Sequence, residues 1–190
     1  KYAEDVPDSI RTPDRVKTEQ LGELTFFDGL PSEETAKKVY DYLDTARGVD
    51  AFLNGLPAAS IYAFVQGMKA AGMGTYSMGI TGGLTDARSL WLTPNTTTMY
   101  CVAEINVKDG PTVMEVPRGV LGPVDDAYFR WVTDVGFTGP DKGQGGKYLF
   151  LPPGYQGDVP EGHFAIRTRT FRNWLLMRAF VIDGDMQKTV

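Results

Sequence analysis

The sequence predicts an α+β protein that is mainly β, with an N-terminal helical hairpin followed by an antiparallel β sandwich or barrel-like sheet. Three observations lead to this prediction. Apolar residues recur at helical spacing over residues 32–72, the segments that follow alternate with period two, and Gly- and Pro-rich connections without a helical period separate those segments. Parallel strands need long, usually helical crossovers, so we expect antiparallel pairing.

Two helices joined by a short link are expected early in the chain. The first is predicted for residues 32–53, because two glutamates place negative charge in its first turn and Asn54-Gly55 indicates its end. Pro57 suits the first turn of a second helix, which extends to Gly72. Residues 1–30 show no sustained period and are predicted to form an arm or a short helix.

The remainder of the chain is predicted to form strands. Five glycines between residues 72 and 83 indicate that residues 73–84 form an irregular loop with a short strand. Residues 99–107 alternate as a half-buried strand, and Asp109-Gly110 predicts a turn into a returning strand at residues 112–116. Further strands are expected at residues 127–135, 148–151, 162–170 and 174–182.

Composition excludes several classes of function. The formal net charge of -5 argues against nucleic acid as a partner. A single Cys101 and a single His163 exclude an internal disulfide, a multi-cysteine zinc site and a histidine pair, so we expect no metal and no cofactor. No run approaches the roughly 20 consecutive apolar residues of a membrane span, and no N-terminal segment has the pattern of a signal peptide.

The end of the chain predicts that part of a longer protein is missing. Asp185 is a candidate N-cap of a helix that opens only a few residues before Val190. Such a helix needs a partner to pack on, because short helices are unstable alone in water. We therefore expect an arm at residues 1–30, a single domain at residues 31–190, and a further C-terminal domain.

Four segments carry a family resemblance. Residues 92–100, Leu-Thr-Pro-Asn-Thr-Thr-Thr-Met-Tyr, resemble the Pro-Asn-x-Asp-Thr-Leu-Tyr segment of domain-of-unknown-function family 1254. Residues 110–117 resemble its Gly-Pro-hydrophobic-Pro hairpin, and residues 127–129 its Arg-Tyr-Tyr strand. Residues 147–155 resemble its Tyr-Leu-hydrophobic-Gly-Pro-Gly-Trp stretch.

The resemblance implies a mostly β domain, export to the periplasm or the outside of the cell, and assembly into oligomers. It also implies a second, C-terminal domain of family 1214 in the same protein. Two positions depart from the family pattern: Thr97 stands where the family has Asp, and Ala127 where it has Arg. A role in acid-base chemistry or ion binding that needs that Asp is not carried over.

The segment before the longest predicted strand is the first candidate site. Asn95, Thr97 and Thr98 could line a pocket beside Tyr100 and bind a polyol or a sugar. The structural alternative is that Asn95 caps a turn and the threonines lead into the strand, since both residue types bond to nearby backbone groups.

Charged and aromatic residues further along the chain form the second candidate site. Arg130 and Asp134 share a face of the predicted strand 127–135 and, if buried as a pair, would extend the pocket. Arg167 and Arg169 share a face of the predicted strand 162–170 and could bind a carboxylate, or could protect an edge strand. Trp91, Trp131 and Trp174 could form a stacking platform for a carbohydrate or pack in the core.

These observations predict a binding or assembly module, exported and oligomeric, with a pocket for a small polar or carbohydrate ligand. No paired catalytic carboxylates, metal cluster or nucleophile elbow is recognisable, which favours this interpretation. Two alternatives stay open: an enzyme, a hydrolase or lyase, whose site is shared with the missing domain, and a structural subunit of an extracellular assembly.

Overall fold

The computed structural model of the chain describes residues 7, 10, 13–89, 91 and 93–189. It divides into two compact units, Lys1–Asn54 and Gly55–Val190. Most of the first twelve residues of the predicted arm lie outside the described residues, as does Leu92, the first residue of the motif at residues 92–100.

The described part of the predicted arm forms strands. β1 (Arg15–Thr18), β2 (Gly22–Phe27) and β3 (Leu30–Pro31) make a small antiparallel sheet in that order. Its turns use residues with left-handed backbone, including Gly29 with φ 81°. Within the predicted arm, residues 15–30 therefore contain strands and not the short helix that the sequence allowed.

One helix, α1 (Glu33–Ala70), replaces the predicted helical hairpin. Ser32 caps its start by accepting the Thr35 N–H at 3.2 Å. The predicted stop fails because the Asn54 side chain donates back to the Asp50 carbonyl at 2.8 Å, and Gly55 does not adopt a left-handed φ. Gly72, with φ 90°, follows the helix end.

The length and hydropathy of α1 are those of a helix that could cross a membrane. The helix is long and apolar enough to cross a membrane, with a mean hydropathy of 1.2 over an 18-residue window. A single helix that passes this test on length and composition is weak evidence for a membrane span.

The second unit contains two sheets. An antiparallel sheet of five strands has the order β4-β5-β11-β7-β8, and a sheet of three strands has the order β10-β9-β6. The strands are β4 (Met78–Ile80), β5 (Thr98–Asn106), β6 (Thr112–Val116), β7 (Val120–Asp126), β8 (Trp131–Gly136), β9 (Gly146–Leu151), β10 (His163–Arg167) and β11 (Arg172–Phe180).

Pairing departs from the sequence prediction in two places. β6 pairs with β9 and not with β5, so the turn at Asp109-Gly110 does not close a hairpin. β10 pairs with β9 in parallel, because the irregular residues 152–162 carry the chain back to the start of β9. All other strand pairs are antiparallel, as predicted.

β7 was not predicted, and the predicted strand 127–135 begins too early. Gly122 and Pro123 interrupt the β7 pattern, yet the strand needs a glycine there. A Cβ at position 122 would lie 2.2 Å from the Leu176 carbonyl oxygen. Residues 127–130 form the turn between β7 and β8, with Phe129 at φ 60°.

The core lies between the two sheets. Alternate residues of β5 and β11 face residues of β9, with a fully buried Phe150 at the centre. This confirms an α+β protein that is mainly β. The chain ends in a short 3-10 helix, Met186–Lys188, in which the predicted N-cap Asp185 accepts the Gln187 N–H at 2.9 Å.

Candidate ligand-binding site

The opposite face of the five-stranded sheet forms the floor of a cavity. Because side chains alternate along a strand, Tyr100 of β5 and Trp174 and Leu176 of β11 point away from the core. All three line a cavity of about 570 Å³ within the second unit. A volume of this size accommodates a small organic molecule.

The C-terminal half of α1 forms one wall of this aromatic cavity. Pro57, Ile61 and Phe64 recur at helical spacing and line it together with Leu56 and Ser60. Ile61 is buried, and Val65 and Met68 pack the same part of the helix against Val102 of the sheet. The opposite wall consists of Trp91, Thr93 and Pro94 in the loop before β5, and Phe129 in the β7–β8 turn.

Five aromatic rings surround the cavity in mutual contact. Phe64 meets Trp174 edge-on at 5.1 Å between centroids and Trp91 at 6.2 Å. Trp91 in turn meets Tyr100 at 5.3 Å, and Phe129 stacks on Trp174 at 5.5 Å with an interplanar angle of 19°. These are the spacings of favourable aromatic pairs, so the rings fix one another around the cavity.

A buried carboxylate holds Phe129 in place. Asp126 is fully buried and accepts the backbone N–H groups of Tyr128 at 2.9 Å and Arg130 at 3.0 Å. The Arg130 guanidinium donates to its other oxygen at 2.8 Å, and Arg169 lies 3.4 Å away. The turn is thus tied at both ends, which stabilises the left-handed backbone of Phe129 between them.

Ionic groups lie on the same sheet face next to the cavity. Glu104, with a side chain 3% exposed, lies 3.0 Å from Lys69 Nζ and 2.7 Å from Arg172 Nε. Neither contact has hydrogen-bond geometry. Asp125 faces Trp174 across β7 and β11, and burial, followed by the charges of Asp126 and Asp134, raises its pKa.

Trp174 has an unused donor. Its indole is 6% exposed, and among the described residues no acceptor bonds its buried Nε1–H. A buried indole donor usually finds a partner. The cavity floor therefore combines a large apolar surface with an unsatisfied donor.

Comparison with known proteins gives a family. Residues 79–190, more than half of the chain, match the sequence model of the DUF1254 family, which is described as a protein family of unknown function. The chain belongs to this family. The resemblance predicted from residues 92–155 is thereby confirmed, whereas a companion domain of family 1214 stays a prediction.

A solved structure supports the fold of this DUF1254 chain. The crystal structure of the VPA0106 protein from Vibrio parahaemolyticus aligns with a TM-score of 0.57 and 17% identity over 73% of this chain. The aligned region spans 33% of that protein, so the chain corresponds to about a third of its length. No curated protein matches the chain.

The polar side chains of the motif at residues 92–100 form hydrogen bonds mainly with other residues of the same loop. The Asn95 Oδ1 accepts the backbone N–H groups of Thr97 at 2.9 Å and Thr98 at 2.8 Å, together with both threonine hydroxyls. The Tyr100 hydroxyl accepts the Asn95 N–H at 2.7 Å. Tyr100 is the one residue of the predicted site that lines the aromatic cavity, and ligand binding by the other three stays a prediction.

Arg130 and Asp134 do not form the pair that the predicted strand 127–135 suggested. Arg130 lies in the turn and pairs with Asp126. Asp134 lies on β8 opposite Pro123. The reason is the turn at residues 127–130, which breaks the alternation that placed the two residues on one face. Ligand binding by these two residues stays a prediction.

Other candidates are dispersed. Trp91 and Trp174 line the cavity, whereas Trp131 is 62% exposed, so the three do not form one platform. Arg167 donates to the Tyr155 carbonyl and Arg169 to the Trp131 carbonyl.

Cys101 is buried in the core, where burial raises the pKa of its thiol. No cluster of three metal-ligating side chains occurs among the described residues.

Sequence reasoning missed the helix wall and Phe129. The signal for the helix wall was present, because Ile61 and Phe64 share a face with Val65 and Met68 of the predicted second helix. For Phe129, the signal was the pattern Asp-x-x-x-Arg, in which a side-chain oxygen can tie off a short turn.

Proposed function

We propose that this DUF1254 domain binds a small aromatic molecule in the aromatic cavity. The observation that carries the proposal is the ring of five aromatic side chains around about 570 Å³ of space, each contributed by a different element of the second unit. Largely apolar clefts with a few polar groups are the usual form of ligand sites.

The lining favours an aromatic ligand over the polar or carbohydrate ligand that the sequence suggested. Among the described residues, the polar groups in the cavity lining are the hydroxyls of Ser60, Thr93 and Tyr100 and the indole N–H of Trp174. The Tyr100 hydroxyl already accepts a hydrogen bond from Asn95. A sugar would bury many hydroxyl groups without enough partners, and each unpaired group is costly. An aromatic ligand could fill the space edge-on to the surrounding rings and accept a weak bond from the Trp174 indole.

The proposal is tested with 2-naphthamide as a probe, since its two fused rings match the aromatic lining. Calorimetry should detect binding to the wild-type chain, and Phe129→Ala should weaken it about tenfold through the loss of one stacking wall. Phe137→Ala is the matched control, because Phe137 is similarly exposed but contacts Phe180 away from the cavity. Absence of binding to the wild type, or equal weakening in both variants, would contradict the proposal. A parallel screen of sugars tests the earlier expectation.

We also propose that the chain acts together with a further domain or with copies of itself. Apolar side chains of α1 are exposed in the first unit, among them Phe52 at 68% and Leu53 at 59%. Exposed apolar patches commonly mark interfaces. Light scattering on the chain should show self-association or, after addition of the remainder of the protein, complex formation. A monodisperse monomer under both conditions would refute this proposal.

Export to the periplasm or the outside of the cell follows from the family resemblance and stays a proposal. It is tested by fractionating cells that express the full-length protein. The alternatives of an enzyme and of a structural subunit gain no specific support from the described residues: of Asn95, Tyr100, Arg130 and Asp134, only Tyr100 lines the cavity.

A further inference from the structure

A second cavity adjoins the aromatic cavity. It measures about 390 Å³, and Ile61 lines both. Tyr128 lines the second cavity, and the next residue, Phe129, lines the first. Arg172 and Trp174 are alternate residues of β11 on one sheet face, which places their Cα atoms about 7 Å apart. A molecule of two fused rings with a short substituent is long enough to reach from one cavity into the other.

The second cavity is lined by two cations. Arg172 stands over the Tyr62 ring, with its guanidinium carbon 5.9 Å from the ring centroid, and its side chain is 31% exposed. Lys108 is exposed and makes no ion pair among the described residues. The Asn106 side chain accepts the Lys108 backbone N–H at 3.0 Å through its oxygen, which leaves its amide nitrogen free to donate.

The carboxylates that pair with arginines here are buried, whereas Asp109, next to Lys108 in the chain, is exposed. Glu104 is 3% exposed beneath Arg172, and Asp126 is fully buried beneath Arg130. Arg130 lies over the ring of Tyr128, a residue that lines the second cavity, with its guanidinium carbon 5.3 Å from the ring centroid. Among the described residues, the lining of the second cavity contains the cations Lys108 and Arg172 and no carboxylate, although the formal net charge of the chain is -5.

We propose that the ligand of the aromatic cavity carries an anionic group, which binds in the second cavity between Lys108 and Arg172. This inference rests on the proposed function. Guanidinium, ammonium and amide donors together suit a carboxylate, a sulfonate or a phosphate ester. The rings of such an aromatic acid lie between Phe129 and the helix, and its anion lies beyond Ile61.

The test compares 2-naphthoate with the neutral 2-naphthamide and with 2-naphthyl phosphate by calorimetry at low and high salt. We expect the naphthoate to bind about tenfold more tightly than the amide, with the difference reduced at high salt. Lys108→Gln and Arg172→Gln should remove the preference, because each should weaken the binding of the naphthoate more than that of the amide. Lys142→Gln, an exposed lysine in the loop after β8, is the control and should retain the preference.

The outcomes separate this inference from the proposed function. Equal binding of naphthoate and amide overturns the anion site but preserves the aromatic cavity, whereas absence of binding by all three probes overturns both. A preference that survives in both variants also overturns the site. Because Arg172 compensates the buried Glu104, Arg172→Gln is checked by urea unfolding, and Lys108→Gln decides the question if that variant is unfolded. Tighter binding of the phosphate supports the inference and identifies a phosphate ester as the anion.

Discussion

Replacement of Asp126 by alanine tests how the cavity wall is held. The substitution removes the acceptor of two backbone N–H groups in the β7–β8 turn, those of Tyr128 and Arg130, each worth about 1 kcal/mol. It also removes the partner of Arg130, whose side chain is 53% exposed, so this ion pair contributes only about 1 kcal/mol. The expected loss of unfolding free energy is about 3 kcal/mol.

Urea unfolding followed by tryptophan fluorescence measures this loss. With a slope of about 2 kcal/mol per molar urea, the midpoint should fall by about 1.5 M. Asp126→Asn keeps one oxygen for the backbone donors and should lose about 1 kcal/mol, whereas the control Asp134→Ala should change stability by less than about 0.5 kcal/mol. If Asp126→Ala and Asp134→Ala unfolded at the same urea concentration, the turn would not depend on the buried carboxylate.

Three further predictions use other parts of the second unit. Gly136→Ala should cost about 3 kcal/mol or more in urea unfolding, because its Cβ would lie 1.8 Å from the Val120 oxygen. Gly119→Ala, with nearly the same φ but open space, should cost about 1 kcal/mol, and similar losses would refute the steric reason. Burial raises the pKa of Asp125, so the contribution of this carboxyl group to the free energy of unfolding falls as the pH rises through its folded-state pKa. Asp125→Asn should therefore stabilise the chain at neutral pH and not at acid pH. Iodoacetamide should label Cys101 in urea but not in the native chain, as mass spectrometry would show; rapid native labelling would contradict its burial.

The sequence predicted the strands whose alternation is uninterrupted. β5 and β11 were located to within about two residues, because small and apolar residues alternate along them and only one face can enter the core. β6 was located at its observed bounds, Thr112–Val116. Its partner was not predicted, since a turn signal such as Asp109-Gly110 reports local backbone and not the strand beyond it.

The helix and β7 show where local signals mislead. Asn54, Gly55 and Pro57 each weaken a helix, but the flanking residues continue it, and the Asn54 side chain finds a backbone acceptor one turn back. In β7, the sequence Gly122-Pro123 is typical of the end of a strand, although the strand continues and the close approach of the Leu176 backbone requires the glycine. In both cases the context of the whole fold outweighs local propensity.

The candidate site was harder to predict than the fold because its residues are distant in sequence. Tyr100 was identified from its motif, but the motif itself is explained by an Asn95-centred turn. Phe129 reaches the cavity only because four residues between β7 and β8 form a tight turn, and no periodicity describes a turn. Side chains in short connections therefore have to be placed by structure.

The division of the cavity between sheet and loops indicates where ligand preference is encoded. The floor, Trp174 and Leu176, lies on the central strand of the five-stranded sheet, and a change there would also disturb packing against α1. Phe129 and Thr93 lie in connections, which tolerate substitution and insertion better than strands do. Within proteins of this fold, we expect the shape of the cavity mouth to vary with the length of the β7–β8 turn, while its aromatic floor stays the same. A turn lengthened by even one residue would move Phe129 away from Trp174 and open the cavity to larger ligands.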